Sequence, residues 1–356
     1  MPAPWTSQLI RLAQHMTEMR PRTIQDLIVL DGSRGPSYSS LGDTRVQAIY
    51  VPTKGRPSHL KRLLDDLEPV LPVYVLPTSP EDIPDSLREG RISACQLLPE
   101  SDSDFWSFYH SLRSTRNPLF SVPESTWDLP AKRSYALWHA SQNRLTRIVL
   151  VDDDIRGLTN DSLSHGGDAL CNWPVVGYLI RHFPDTSFVG HLELSLGEPY
   201  YPFLSGSCLF LHIGKPLGFF PPIYNEDWIF MAPAIADRRV SAIGSIDQAP
   251  YDPFSDSMLA VFQQPGEIIA DGLYDLLVTG QYQFRFDASH WSTLLQERAS
   301  WYSSLRARIT DPTHERGLHE ASNLLAGMSA TDCVTYLLDL DADRLKWNRR
   351  LGEFSS

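Results

Sequence analysis

The sequence predicts an α/β protein built on a doubly wound, open sheet. Three observations carry that expectation. A strand–helix–strand rhythm opens the organised part of the chain, with apolar strands at 46–51 and 73–76 around an amphipathic helix at 59–67. A helix at 131–143 feeding a strand at 148–151 repeats it after a long insert. Such alternation implies parallel pairing through right-handed crossovers. The third observation is Ile148-Val149-Leu150-Val151-Asp152-Asp153-Asp154, where a fully apolar run stops in three consecutive acids. Open α/β sheets bind ligands at the carboxyl ends of their strands, which is where these acids fall.

Taken in order, 4–20 has the apolar periodicity of a helix, and 24–30 has that of a strand or short helix. After the first strand comes the turn Pro52-Thr53-Lys54-Gly55-Arg56-Pro57. Residues 77–130 are rich in Pro, Ser and Asp and read as irregular. Beyond the acids, 160–168 reads as a loop and 174–181 as a helix, while 187–194 and 208–212 read as strands. Residues 225–236 read as a helix capped by Asn225 with two acids in its first turn, and 241–245 as a short strand. Three helices are expected in the last seventy residues. The chain therefore divides into an N-terminal helical extension at 1–45, a central unit at 46–285 with halves 46–155 and 156–285, and a C-terminal helical extension at 286–356.

Composition narrows the class. With 356 residues, 42% hydrophobic and 11% aromatic, the chain can bury a sizeable core and is no disordered protein. A formal charge of −12 argues against a general nucleic-acid binder, whose partner demands a basic surface, and leaves room for a local basic pocket. Cys95, Cys171, Cys208 and Cys333 show no CxxC spacing and read as reduced thiols of a cytoplasmic protein. No signal-peptide pattern opens the chain, and no run is long enough to span a membrane.

The chemistry concentrates in a few segments. Three ionised aspartates in a partly dry site repel one another unless a cation sits among them. Hard ions such as Mg²⁺ and Mn²⁺ prefer oxygen ligands together with substrate phosphates, so the trio reads as a metal–phosphate site. Pro52, Thr53, Lys54 and Arg56 occupy a switch-point turn suited to a nucleotide but lack the glycine spacing of a P-loop or dinucleotide fingerprint. Lys132 and Arg133, near a helix start, oppose the helix dipole and invite a phosphate. Ser205-Gly206-Ser207 lets a backbone approach a ligand closely. Tyr224-Asn225-Glu226-Asp227-Trp228 brings carboxylates to a helix start behind an aromatic, Pro-rich loop, a setting for a general base. His290 stands as a distant candidate ligand or phosphate contact.

In this order the segments resemble the GT-A-fold glycosyltransferases, most closely the inverting family 2 group, over 46–236. The resemblance implies a DxD motif at Asp152-Asp153-Asp154 and an ED motif at Glu226-Asp227. It further implies a UDP- or GDP-sugar donor whose diphosphate is bridged by Mn²⁺ or Mg²⁺ to Asp154 and Asp152. Pro52, Thr53, Lys54, Arg56, Lys132, Arg133 and Asp153 would line the nucleotide, and Asp227, beside Glu226, would deprotonate an acceptor hydroxyl. Ser205, Gly206, Tyr224 and Trp228 would face the acceptor, with Phe219 adding a ring. The turn departs from the family in carrying Lys54-Gly55-Arg56, the 77–130 insert is long, and both ends match nothing in the family. The alternatives are a sugar-phosphate nucleotidyltransferase, of which Lys54-Gly55-Arg56 is only a poor echo, and a non-catalytic scaffold of the same fold. Sugar, acceptor and oligomeric state stay open.

Overall fold

Alternating buried runs of the sequence line up as a single mixed sheet in the computed structural model, which describes residues 28–30, 45–67, 71–89, 95–96, 99–117, 128–181, 187–197, 203–250 and 259–355. The helix expected at 4–20 lies outside these residues. The first half contains β1 (Val29–Leu30), β2 (Ala48–Thr53), α1 (Pro57–Leu67), β3 (Val73–Pro77), α2 (Asp85–Arg88), β4 (Cys95–Gln96), α3 (Ser103–Tyr109), α4 (Asp128–Gln142), β5 (Arg147–Val151) and β6 (Ile155–Arg156). The second contains α5 (Asn160–Ala169), β7 (Val175–Arg181), α6 (Phe188–Ser195), β8 (Phe203–His212), α7 (Glu226–Ala236) and β9 (Val240–Gln248). Helices α8 (Leu259–Val278), α9 (Ala288–Arg306), α10 (Pro312–Ala326) and α11 (Ala330–Ser355) close the chain.

The strand order is β1-β9-β7-β8-β5-β2-β3-β4, with β6 pairing β9. Neighbours along the path run parallel except that β8 is antiparallel to both β5 and β7. Side-chain alternation fills two layers. Tyr50, Ile148 and Leu150 face α4, α7 and the C-terminal helices, while Ile49, Val51, Val149 and Val151 face α1 and α5. The first layer runs unbroken from Ala48 to Trp347, so the C-terminal helices share the core of the sheet.

Three local expectations are corrected. Residues 175–181 form a strand, not a helix: Val175, Val176 and Ile180 are buried within a ladder flanked on both sides. Residues 188–195 form a helix, not a strand. Ser187 caps it by accepting the Gly190 amide at 2.8 Å, and Phe188, Val189 and Leu192 are buried at helical spacing. Residues 160–169 form a helix capped by Thr159, whose hydroxyl accepts the Ser162 amide.

The antiparallel strand sets up the site. Because β8 runs against β5, its beginning lies beside the end of β5: Val151 pairs with Cys208, and the Asp152 amide extends the ladder to the Ser207 carbonyl at 2.8 Å. The end of β9 meets the same edge, where the Ala249 amide bonds the Asp154 carbonyl. Pro52 is tolerated in β2 because the pairing with β5 ends at Tyr50, leaving that side free of a ladder donor.

Candidate active site

One edge of the sheet gathers Thr53 from β2, Asp152, Asp153 and Asp154 after β5, Ser205 to Ser207 from β8 and Gln248 from β9. Arg56 enters from the start of α1, Lys132 and Arg133 from α4, and Glu226 and Asp227 from the first turn of α7. The acids are buried, with Asp153 only 1% exposed.

Repulsion within the trio is relieved by the protein itself, because each acid faces a cation, Arg133 for Asp152 and Arg56 for both Asp153 and Asp154. Asp152 receives Nη2 of Arg133 on both oxygens at 2.9 Å. Asp153 accepts the Thr53 hydroxyl at 2.6 Å and pairs with Arg56 Nη2 at 2.8 Å. Asp154 accepts Arg56 Nη1 at 2.6 Å and Gln248 Nε2 at 3.1 Å. Burial nevertheless dominates. It pushes Asp153 up to about 7 against the pull of Arg56 and Thr53, and with the charge of Asp152 it raises Asp154.

Lys132 and Arg133 are not free phosphate clamps. Helix α4 begins at Asp128, so both lie in its second turn, and Asp128 already answers the dipole. Lys132 donates to the Thr53 carbonyl at 2.8 Å and to Thr78 and Asp128 at 2.7 Å, which ties the β2 turn to α4. Asp82 fixes that turn from the other side by accepting the amides of Gly55, Thr78 and Ser79. Burial opposes its charge, but those three amides outweigh it and hold Asp82 below the usual carboxylate range. Lys54 is exposed.

Arg133 is the hub. Its side chain is 4% exposed and joins Asp152 to Glu226, whose Oε1 accepts Nη1 at 2.5 Å. The two acid segments, distant in sequence, are thus linked by one guanidinium, which also lies 5.9 Å from the Phe220 ring centroid. Gly206 makes room for it: a Cβ there would stand 2.4 Å from Arg133 Nη1 and 2.8 Å from the Asp227 Cβ. Closeness to the site's own side chains is what this glycine permits.

Asp227 is held by two amides, Gly206 on Oδ2 at 2.5 Å and its neighbour Trp228 on Oδ1 at 2.8 Å. Burial raises it above an ordinary aspartate, against the charge of Arg133 and those two bonds. Burial likewise lifts Glu226 to about 7, opposed by Arg133 and helped by the charge of Asp227. Asn225 does not cap α7 with its side chain; it adopts a left-handed backbone at φ 58° and turns the chain into the helix. Trp228 and Tyr224 are half-buried, and the Trp228 ring lies 4.5 Å from that of Tyr274 on α8. Phe219 is fully buried between Tyr109 and Trp347 and presents no ring to a ligand. Ser205 bonds Ser207 at 2.9 Å.

His290 is not brought to this edge by any contact. Its Nε2 lies 3.0 Å from the Gly272 carbonyl and its Nδ1 3.8 Å from Asp275, both on α8. Gln248, Tyr274, Thr78 and Asp82 join the site without having been expected there. Thr78-Ser79-Pro80-Glu81-Asp82 carries a capping signal that would have found two of them; Gln248 and Tyr274 carry none.

Among the described residues no three His, Cys, Asp or Glu side chains stand in the geometry of a metal site. The donor chemistry still suits a hard cation: Asp152, Asp153, Asp154, Glu226 and Asp227 are all oxygen donors, opposed here by Arg133 and the 44% exposed Arg56. No described helix is long and apolar enough to cross a membrane. No protein-family model matches the chain, and no curated protein emerges as a relative.

Proposed function

We propose that this protein is a glycosyltransferase of GT-A type, transferring a sugar from a nucleoside diphosphate to an acceptor hydroxyl with inversion. The observation that carries the reading is the buried link Asp152–Arg133–Glu226 with Asp227 against Gly206, which unites the two acid motifs at one carboxyl-terminal sheet edge. The mixed, doubly wound sheet and the turn after β2 at the same edge support it.

Asp154 and Asp152 are the residues that would hold Mn²⁺ or Mg²⁺, with Arg56 withdrawing from Asp154. The chemistry such an ion supplies when bound is neutralisation of the charge on the diphosphate leaving group. The protein's own groups do the rest. Arg133 fixes Asp152 and Glu226 in place, and Lys132 secures the turn on which the nucleotide would rest. Asp227 takes the proton from the acceptor hydroxyl on the face opposite the leaving group; its two amide bonds fix its aim, and burial makes it a stronger base. The half-buried Trp228, braced by Tyr274, supplies a ring against which an acceptor can lie.

The test is transfer and hydrolysis measured with UDP-, GDP- and TDP-sugars, with and without Mn²⁺, for the native chain and for Asp154→Ala and Asp227→Asn. Release of nucleoside diphosphate that both substitutions abolish supports the proposal. Release of pyrophosphate from a nucleoside triphosphate and a sugar phosphate would instead establish nucleotidyl transfer.

A further inference from the structure

At the opposite end of the same strands β5 begins with a buried cation. Arg147 is 6% exposed and pairs across the ladder with His212, the last residue of β8. Directly opposed residues project side by side from one face, here the face of Val149 and Phe210 that packs on α5. Among the described residues the Arg147 side chain finds two acceptors, the Gly167 carbonyl at 3.5 Å and the Cys171 sulfur at 3.6 Å. Both are long contacts, and neither carries a full charge. No carboxylate pairs with it among those residues, whereas the other buried arginines, 133, 298 and 344, each have one. A guanidinium offers five N–H donors, and burying it without a counter-charge is costly.

A second basic group lies beside it. Nδ1 of His212 is buried and has no partner. Lys215 follows through a tight turn in which its amide donates to the His212 carbonyl at 3.0 Å, and its side chain is exposed. Burial, and then the charges of Arg147 and Lys215, hold His212 below its usual range, as expected of three basic groups within reach of one another. On a chain of net charge −12, long-range attraction does not gather anions, so occupancy here would rest on local contacts.

We propose that Arg147, His212 and Lys215 form a binding site for a phosphate-type oxyanion at the edge of the sheet remote from the aspartate trio. Arg147 supplies a planar pair of donors, Lys215 an exposed charge and His212 a ring nitrogen that donates in its Nδ1–H tautomer. The site does not depend on the glycosyl-transfer reading.

Calorimetric titration and melting of the full chain with inorganic phosphate, against sodium chloride at equal ionic strength, test it. The expected result is saturable binding with a raised Tm, weakened at least threefold in Lys215→Gln and in His212→Asn and at least tenfold in Arg147→Gln. Should Arg147→Gln not fold, the exposed Lys215 and the half-buried His212 decide the matter. Tighter binding of glycerol 3-phosphate would show that the group arrives on an ester, and equal binding that it is free phosphate; either supports the site. An effect no greater than that of chloride overturns the proposal. So does saturable binding unchanged in Lys215→Gln and His212→Asn, which would put the anion elsewhere.

Discussion

Gly206→Ala probes the hub without removing any charge. The added methyl would lie 2.4 Å from Arg133 Nη1, 2.7 Å from its Cζ and 2.8 Å from the Asp227 Cβ. Each distance is far inside van der Waals contact. The tip of an arginine ordinarily yields at little cost, but this one is pinned on both sides, by Asp152 at 2.9 Å and Glu226 at 2.5 Å. The Asp227 Cβ is attached to a helix backbone and yields even less. Overpacking of this kind costs ~1–3 kcal/mol, and losing one partner of a buried ion pair costs ~3–5 kcal/mol. Because a small shift can keep part of the pairing, about 2–4 kcal/mol is expected between those limits. At roughly 2 °C per kcal/mol for a chain of this size, Tm should fall by about 4–8 °C. Differential scanning calorimetry reads this directly. Gly352→Ala serves as the control, since its Cβ would meet nothing within 4 Å on α11; replacing a helical glycine there should stabilise by about 0.5–1 kcal/mol. If Gly206→Ala melts within a degree of the native chain, the guanidinium is not confined as described and Arg133 is no hub.

Other outcomes follow from the same geometry. On the proposed reading, Asp227→Asn should lower the transfer rate by about 10²–10⁴-fold while leaving donor affinity intact, as read by steady-state kinetics and calorimetry, because it removes the proposed general base and leaves the fold around it in place. Glu226, lifted to about 7 from an ordinary 4.5, binds its proton more tightly folded than unfolded. Stability from this group is therefore full below pH ~4.5 and is lost as pH rises through ~7, a decline of at most about 3 kcal/mol. Glu226→Gln should flatten that part of the Tm–pH curve, and an unchanged slope would contradict the assignment. Arg56→Gln frees Asp153 and Asp154 of their shared cation, so Mn²⁺ should raise Tm more in this variant than in the native chain; an equal rise would show that Arg56 does not compete for those acids.

The central strands and both acid segments are legible in the sequence, because an apolar run long enough for a buried strand that stops in three carboxylates marks both the strand's end and a set of acids that need partners. What the sequence does not show is which partner each acid takes. That depends on a missing methyl at Gly206 and on a half-exposed arginine reaching across from α1, neither of which leaves a periodic trace. The 174–195 region comes out inverted, with helix expected where a strand forms and strand where a helix forms. Short apolar runs look alike in both periods, and the deciding signal is one hydroxyl, that of Ser187 on the Gly190 amide. The aromatic loop before α7 has the composition of a ligand wall, yet Phe219 and Phe220 serve the core; ring content alone does not separate the two roles.

Helix α11 has a consequence for anyone trimming or tagging this chain. Its Trp347 and Phe354 rest on Trp138, and the Leu351 carbonyl accepts the Ser141 hydroxyl, so the last helix is the buttress of α4. Lys132 and Arg133 ride on that same α4. Shortening the chain by a dozen residues at its tail would therefore unseat a support several turns removed from the acids, and the aspartate edge would lose its footing through a cut that touches none of them.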